Sequence, residues 1–115
     1  MAENKNQLRE ETIDFAVAVS EVCENIHGCS VYVNQLLRCS SSIGANVYEA
    51  KYAQSRADFI SKLSIALKET TESKYWIRLL HATDYLSSNE YHSILSDCVE
   101  IEKLLVSIIR TTKQK

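Results

Sequence analysis

The sequence predicts an all-α fold, an antiparallel up-down-up-down four-helix bundle that forms oligomers. Proline is absent from the 115 residues, and glycine occurs only at Gly28 and Gly44, whereas sheet proteins need many turn residues. Apolar residues recur in steps of three and four along four segments, which is the spacing of one helix face. Short polar connections separate these segments and favour a bundle. The length suits a single domain over residues 1–115.

The first helix is predicted over residues 5–27, after a frayed terminus at residues 1–4. Acidic residues near its start suit the helix dipole, and His27 followed by Gly28 resembles a helix end. Its apolar face consists of Leu8, Phe15, Val19, Val22 and Ile26, with Thr12 in the gap.

The second helix is predicted over residues 30–50, with Ser30 as its N-cap. Its run of small residues, CSSSIGAN, lowers helix propensity. Small side chains also let a neighbouring helix approach closely, so packing can offset that loss. The predicted buried face consists of Val33, Leu36, Ser40, Ile43 and Val47.

The third helix is predicted over residues 56–86, with Ser55 and Asp58 forming an imperfect capping box. Its main apolar stripe includes Phe59, Leu63 and Leu67. Ile65, Trp76 and Leu79 cluster nearly opposite Leu63 at about 100° per residue. A second apolar face on a helix of a small protein is typical of an interface, and it predicts self-association.

The fourth helix is predicted over residues 89–112, capped by Ser87 or Ser88. Its cationic tail suits the C-terminal end of a helix dipole. Its apolar stripe consists of Tyr91, Ile94, Leu95, Cys98, Ile101, Leu105 and Ile108.

Charge and cysteine usage limit the function classes. The net charge is −2, unlike the excess of Lys and Arg typical of nucleic-acid binders. Residues 38–78 nevertheless carry seven basic and four acidic groups. The four cysteines form no CxxC pair, and the chain shows neither a signal peptide nor an apolar run of about 18 residues. We therefore expect a cytoplasmic protein with reduced cysteines and no membrane partner.

The sequence contains no recognisable catalytic constellation, so we expect a protein that is not an enzyme and has no cofactor, no metal and no small-molecule substrate. Glu24 and His27 have the Glu-x-x-His spacing of bundle metal sites, but only once. A metalloenzyme is therefore the least favoured class. His81 is predicted to be a core histidine near Asp84. Lys74 is predicted either to extend along the core into water or to pair with a carboxylate on a neighbouring helix.

A weak candidate for nucleic-acid binding is the set of basic residues Arg38, Lys51, Arg56 and Lys62, which lie among tyrosines in the sequence. Basic groups beside stacking aromatics can bind single strands. A solvated helix face explains the same pattern and is favoured, because the net charge is negative.

The stretch QLLRCSSSIGANVYEA, followed by SRADFISKLSIALKETTESKYWIRLL, resembles the four-helix bundle proteins encoded in intervening sequences of bacterial 23S ribosomal RNA genes. That family also includes the accessory variability determinant of diversity-generating retroelements. Tyr48 and Ala50 depart from the family pattern, which often has Ala and Gly there. The matching positions are Gln35, Arg38, Ser42, Ile43, Ala45, Asn46, Glu49, Ser55, Asp58, Phe59, Leu63, Ala66 and Leu67.

This resemblance implies a homo-oligomeric bundle, commonly a five-fold ring, without enzymatic activity. Some relatives bind nucleic acid or a reverse transcriptase. The leading hypothesis is therefore a non-catalytic, pentameric scaffold or interaction module. The alternative is an RNA- or DNA-binding accessory factor, for example to a reverse transcriptase or another nucleic-acid-processing protein.

Four of the matching polar residues fall within about 80° of one another on the second helix. They are predicted to face away from the core and to contact a neighbouring helix or subunit. Together with the second apolar face of the third helix, they make up the candidate subunit interface. Its members are Arg38, Ser42, Asn46, Glu49, Ile65, Trp76 and Leu79.

Overall fold

The computed structural model describes residues 2–115, which form four α-helices and no strand. They are α1 (Ala2–Glu24), α2 (Ser30–Lys51), α3 (Arg56–Ala82) and α4 (Ser88–Lys113). The all-α prediction with four helices is confirmed. The prediction of a frayed terminus over residues 1–4 is wrong for residues 2–4, because α1 already begins at Ala2. Met1 lies outside the described residues.

The four helices surround one apolar core. α1 packs against α2 and α4, and α3 packs against the same two helices. The side chains on the predicted apolar faces fill the space between them, which is why the periodicity of the sequence could locate them. The largest fully buried side chains are Phe15, Leu8, Leu36, Ile43, Leu63, Ile77, Leu80, Ile94, Ile101, Leu105, Ile108 and Val19.

Of the three helices that follow α1, two begin at a residue whose side chain caps the first turn, namely α3 and α4. The Ser55 hydroxyl accepts a hydrogen bond from the backbone N–H of Asp58 at 3.0 Å, as predicted. Ser87 forms a full capping box with Glu90 before α4, so Ser87 rather than Ser88 is the cap. Each device satisfies N–H groups that the first helical turn leaves free.

The start of α2 differs from the prediction. Its N-cap is Cys29, which has a left-handed backbone with φ 54° and makes no side-chain cap bond. Ser30 is the first helical residue, so the predicted Ser30 cap is wrong. Gly28, with φ 92°, also has positive φ. This pair of left-handed residues turns the chain sharply between α1 and α2, and glycine tolerates that conformation best.

Two helices end earlier than the sequence predicts. α1 ends at Glu24 rather than His27, and α3 ends at Ala82 rather than at residue 86. After α3, Asp84 adopts a left-handed backbone with φ 68°, and the N–H of Tyr85 donates to the carbonyl of Leu80 at 2.9 Å. This pattern is a Schellman motif, which normally has glycine in the left-handed position. Because an aspartate is there instead, the sequence signal was missed.

The ends of the bundle can be defined by contacts between distant segments. Gly28 lies beside the ring of Tyr85, so the α1–α2 and α3–α4 connections lie at the same end of the bundle. We call this end the upper end. At the opposite, lower end, the ammonium of Lys5 lies 4.8 Å from the centroid of the Phe59 ring. These two levels fix where each surface residue stands along the bundle.

Candidate functional site

The polar stripe predicted on α2 faces α3 of the same chain. The Arg38 guanidinium donates to the carboxylates of Glu69 at 3.3 Å and Glu72 at 2.7 Å. These contacts raise the pKa of Arg38, mainly through the hydrogen bond to Glu72. The predicted contact with a neighbouring helix is therefore made within the chain, and the guanidinium is occupied there.

The rest of the stripe follows the same side of α2. The Asn46 amide donates to the backbone carbonyl and the hydroxyl of Ser42, at 2.9 and 3.2 Å. Glu49 lies 3.8 Å from the ammonium of Lys62 on α3. The stripe therefore contacts a neighbouring helix, which is one of the two predicted alternatives. The periodicity of a single helix did not reveal that this helix belongs to the same chain.

The second apolar face predicted on α3 is not continuous. Ile65 is 40% exposed, and Leu79 is partly buried. Trp76 packs against the Tyr32 ring of α2, with ring centroids 5.8 Å apart. Glu69 and Glu72 lie on the same side of the helix between Ile65 and Trp76. An α2–α3 contact with an ionic centre therefore occupies much of the predicted patch.

Three of the four candidate nucleic-acid-binding residues make polar contacts within the chain. Arg38 and Lys62 pair with glutamates as described above. The Arg56 guanidinium donates to backbone carbonyls at the end of the chain, including that of Lys115. The Lys51 ammonium lies 5.6 Å from the centroid of the Tyr52 ring. The structure does not gather these four residues into one exposed basic surface.

Another basic surface lies on the α3–α4 side, and the sequence analysis did not identify it. Two ion pairs lie on this surface. Lys74 meets Glu102 at 3.1 Å, and Lys103 meets Glu100 at 3.6 Å. The surface is assembled from two helices that are distant in the sequence, so its signal is visible only once they are packed. Its exposed basic residues are Lys68, Arg78, Lys103, Arg110 and Lys113.

An apolar groove of about 530 Å³ runs between α1 and α2. The α2 side is lined mainly by small residues, including Gly44, which leave room for the groove. Ile13, Val17 and Tyr48 line it and are 42%, 51% and 45% exposed. The sequence analysis missed this groove because it assigned only one apolar face to the first helix.

The buried thiols are poorly suited to nucleophilic chemistry. Burial raises the pKa of Cys23 to about 11 and that of Cys98 to about 12. Burial also raises the pKa of Cys39, whose sulfur accepts a hydrogen bond from the Ser73 hydroxyl at 3.1 Å. Because the thiolate is the reactive form, these three thiols are poor nucleophiles.

The histidines singled out in the sequence take other positions. The His81 ring stacks on that of Tyr91, with centroids 3.9 Å apart. α1 ends at Glu24, so the Glu24–His27 spacing does not fall within one helix. Within the described part of the chain, His, Cys, Asp and Glu side chains nowhere gather in threes at a spacing suited to a metal ion. Among residues 2–115, no helix has both the length and the apolar character needed to cross a membrane.

Comparison with known proteins assigns the family. The family model described as 23S rRNA-intervening sequence protein matches residues 4–107. The chain belongs to the 23S rRNA-intervening sequence protein family. The resemblance drawn from the sequence is thereby confirmed.

A solved crystal structure supports this family assignment. It is the crystal structure of a protein with unknown function from the S23 ribosomal protein family of Bacteroides thetaiotaomicron. The two chains are 44% identical, the match covers 93% of this chain and 98% of that one, and the TM-score is 0.88. No curated protein sequence matches the chain significantly. The 23S rRNA-intervening sequence family thus accounts for the fold along nearly the whole chain.

Proposed function

We propose that this chain is a non-catalytic homo-oligomer, a ring of five single-domain four-helix bundles that acts as a scaffold or interaction module in the cytoplasm. The observation that carries the proposal is the exposed apolar groove between α1 and α2. Contiguous apolar surface on a small protein is typical of an interaction site. A ring of identical subunits would cover it without requiring another protein.

The proposal includes an antiparallel up-down-up-down arrangement of the helices. Ion pairs between α2 and α3 support it. Arg38, in the first half of α2, meets Glu72, in the second half of α3. Glu49, near the end of α2, meets Lys62, near the start of α3. Such reversed pairing is expected when consecutive helices run in opposite directions.

A non-enzymatic role is supported by the state of the chain's nucleophiles. The thiols of Cys23, Cys39 and Cys98 are buried with raised pKa values. Many of the serine and threonine hydroxyls donate to carbonyls one turn earlier on their own helices, as Thr70 does to Ala66 at 2.7 Å. Hydroxyls engaged in this way are held by the backbone of their own helix and are not poised to attack a substrate.

The first test is the absolute mass of the purified protein, measured by light scattering on a sizing column. One chain has a mass of 13.1 kDa, so a closed ring of five would have a mass of about 65 kDa. A monomer at every accessible concentration would contradict the proposed oligomer.

The same measurement tests the interface predicted from the sequence. Arg38→Ala and Glu49→Ala should weaken assembly if those side chains also contact a second subunit. If both variants keep their helicity and the full mass, the polar stripe of α2 serves only the contact with α3 of its own chain.

A second candidate function is an RNA- or DNA-binding accessory factor, for example for a reverse transcriptase. The observation that favours it is the exposed basic surface on the α3–α4 side, because Lys and Arg side chains bind phosphates. A gel shift with structured RNA should then be strongly salt-sensitive. No binding at low salt would exclude this function for the isolated protein.

A further inference from the structure

The outer side of α1 carries a ridge of acidic residues, Glu10, Glu21 and Glu24, all exposed. At 100° per residue they lie within about 60° of one another. Glu21 and Glu24 also border the apolar groove between α1 and α2. The groove and the ridge together form one surface, which we call the acidic side.

The opposite side of the bundle is basic. α1 and α3 each pack against both α2 and α4, so the surface shared by α3 and α4 faces away from the one shared by α1 and α2. Lys68 and Arg78 are exposed on α3, and Lys103 is exposed on α4. The exposed Val106 and the partly buried Leu67 lie in a depression on this surface. We call this surface the basic side.

Opposite charges on the two sides stand at matching heights. Counted from the upper end of each helix, Glu10 is 14 residues down α1 (24 − 10) and Lys68 is 14 residues down α3 (82 − 68). Lys103 is 15 residues down α4 (103 − 88). At 1.5 Å per residue these three residues lie about 21–23 Å below the upper end.

A second level of charge lies nearer the upper end. Glu21 is three residues down α1 (24 − 21), and Arg78 is four residues down α3 (82 − 78). Both are therefore about 5–6 Å from the end. Two copies standing side by side with parallel axes would bring acidic and basic groups together at both levels.

We infer that the acidic side of one copy binds the basic side of the next copy, with Val106 and Leu67 of one chain set against the apolar groove of the other. The inference rests on the proposed function and names the surfaces through which the oligomer forms. Because each copy offers two different surfaces, the contact is head-to-tail, and it closes a ring if the rotation between copies is suitable.

The lower end defines the limit of the contact. Lys5 and Lys51 line a cavity there between α1, α2 and α3, and Arg110 and Lys113 stand at the lower end of α4. Both sides are basic at this level and repel each other. The contact is therefore confined to about the upper two-thirds of the bundle.

A second copy explains these surfaces better than nucleic acid does. A nucleic-acid site needs only the basic side and leaves the exposed groove and the acidic ridge unexplained. The acidic ridge would also repel a phosphate backbone. Charge complementarity between two sides of one chain directs association and fixes its register.

The experiment uses two variants of the full chain, each reversing two charges on one side. Glu10→Lys with Glu21→Lys makes the acidic side basic, and Lys68→Glu with Arg78→Glu makes the basic side acidic. A four-fold variant combines all these changes. The control, Lys51→Glu with Lys115→Glu, reverses two exposed charges at the lower end, away from the depression that holds Val106 and Leu67.

Mass is measured by light scattering over a dilution series, after circular dichroism confirms helicity. Each one-sided variant should assemble only at a concentration roughly tenfold higher than the wild type, because attraction becomes repulsion at two levels. The four-fold variant should assemble with the same midpoint concentration as the wild type, since the acidic and basic charges of its two sides are exchanged. The control should not lose mass. If a one-sided variant fails to fold, the same two residues are changed to Gln instead.

Each outcome decides something different. A monomeric wild type would contradict the proposed oligomer itself. An oligomeric wild type whose one-sided variants keep the same midpoint would leave the oligomer standing and overturn these surfaces. Weakened one-sided variants without recovery in the four-fold variant would overturn the pairing of the two sides. If Lys68→Glu with Arg78→Glu abolished an RNA gel shift but left the mass unchanged, the basic side would be a nucleic-acid site instead.

Discussion

At the scale of single residues, Lys74 illustrates how a charge is held at the edge of the core. The sequence left two alternatives, a stem extending into water or a pair with a carboxylate on a neighbouring helix. The structure has the pair: the Lys74 ammonium lies 3.1 Å from both carboxylate oxygens of Glu102 on α4. About a third of each side chain is exposed, so the charges are only partly shielded from water.

Glu102→Ala is expected to lower the free energy of unfolding by about 1–2 kcal/mol, because it leaves the half-buried ammonium without its partner. Urea unfolding followed by circular dichroism measures the change. The matched control is Glu100→Ala on the same helix. Glu100 is exposed and pairs with Lys103 at 3.6 Å, so its loss should cost under about 0.5 kcal/mol. Equal losses in both variants would contradict the structural role of the Lys74 pair.

Individual contacts were the least predictable part of the chain. The sequence indicated that Arg38 and Glu49 lie on one side of their helix, but it did not reveal that α3 stands on that side. Their partners are 31 and 13 positions away (69 − 38 and 62 − 49). Contacts at such distances depend on how helices are placed around the core, and one helix's periodicity carries no information about that placement.

At the scale of helices, side-chain caps determine where α3 and α4 begin. The Ser87 hydroxyl accepts from the N–H of Glu90 at 3.1 Å, and the Glu90 carboxylate accepts from the N–H of Ser87 at 3.0 Å. Such a reciprocal pair satisfies two donors that the helix itself leaves free. Both caps have sequence signatures: the sequence predicted the Ser55 cap of α3 and left Ser87 and Ser88 as alternatives for α4.

Ser87→Ala is expected to lower the free energy of unfolding by about 1 kcal/mol, because the first turn of α4 loses its cap. Thermal unfolding monitored at a helical wavelength provides the measurement. Ser88→Ala is the control, since Ser88 is the first helical residue and alanine has the higher helix propensity. If the two variants lose the same stability, the cap makes no special contribution.

Helix ends without a side-chain signature were placed less well. α2 starts after Cys29 without a side-chain cap, and α3 ends through the left-handed Asp84. In both places backbone geometry replaces the usual serine or glycine. A residue type that rarely adopts positive φ gives no warning that it will do so.

At the scale of the whole molecule, the fold class followed from composition and periodicity. The absence of proline and the repeated steps of three and four specified four helices, and the buried residues lie on the predicted faces. The exposed surfaces did not follow in the same way. The α1–α2 groove and the α3–α4 basic surface each combine residues from two helices. They exist only once the order of helices around the core is known.

The buried thiols can also report when the helices of the bundle separate. Cys39 and Cys98 are fully buried and Cys23 nearly so, whereas Cys29 is partly exposed at the turn before α2. Alkylation followed by mass spectrometry should label Cys29 first. The other three should react only when the helices around them separate, at rates set by local opening. If those three reacted at a single rate, the bundle would open as a single unit, so the native cysteines would report its opening without any engineered probe.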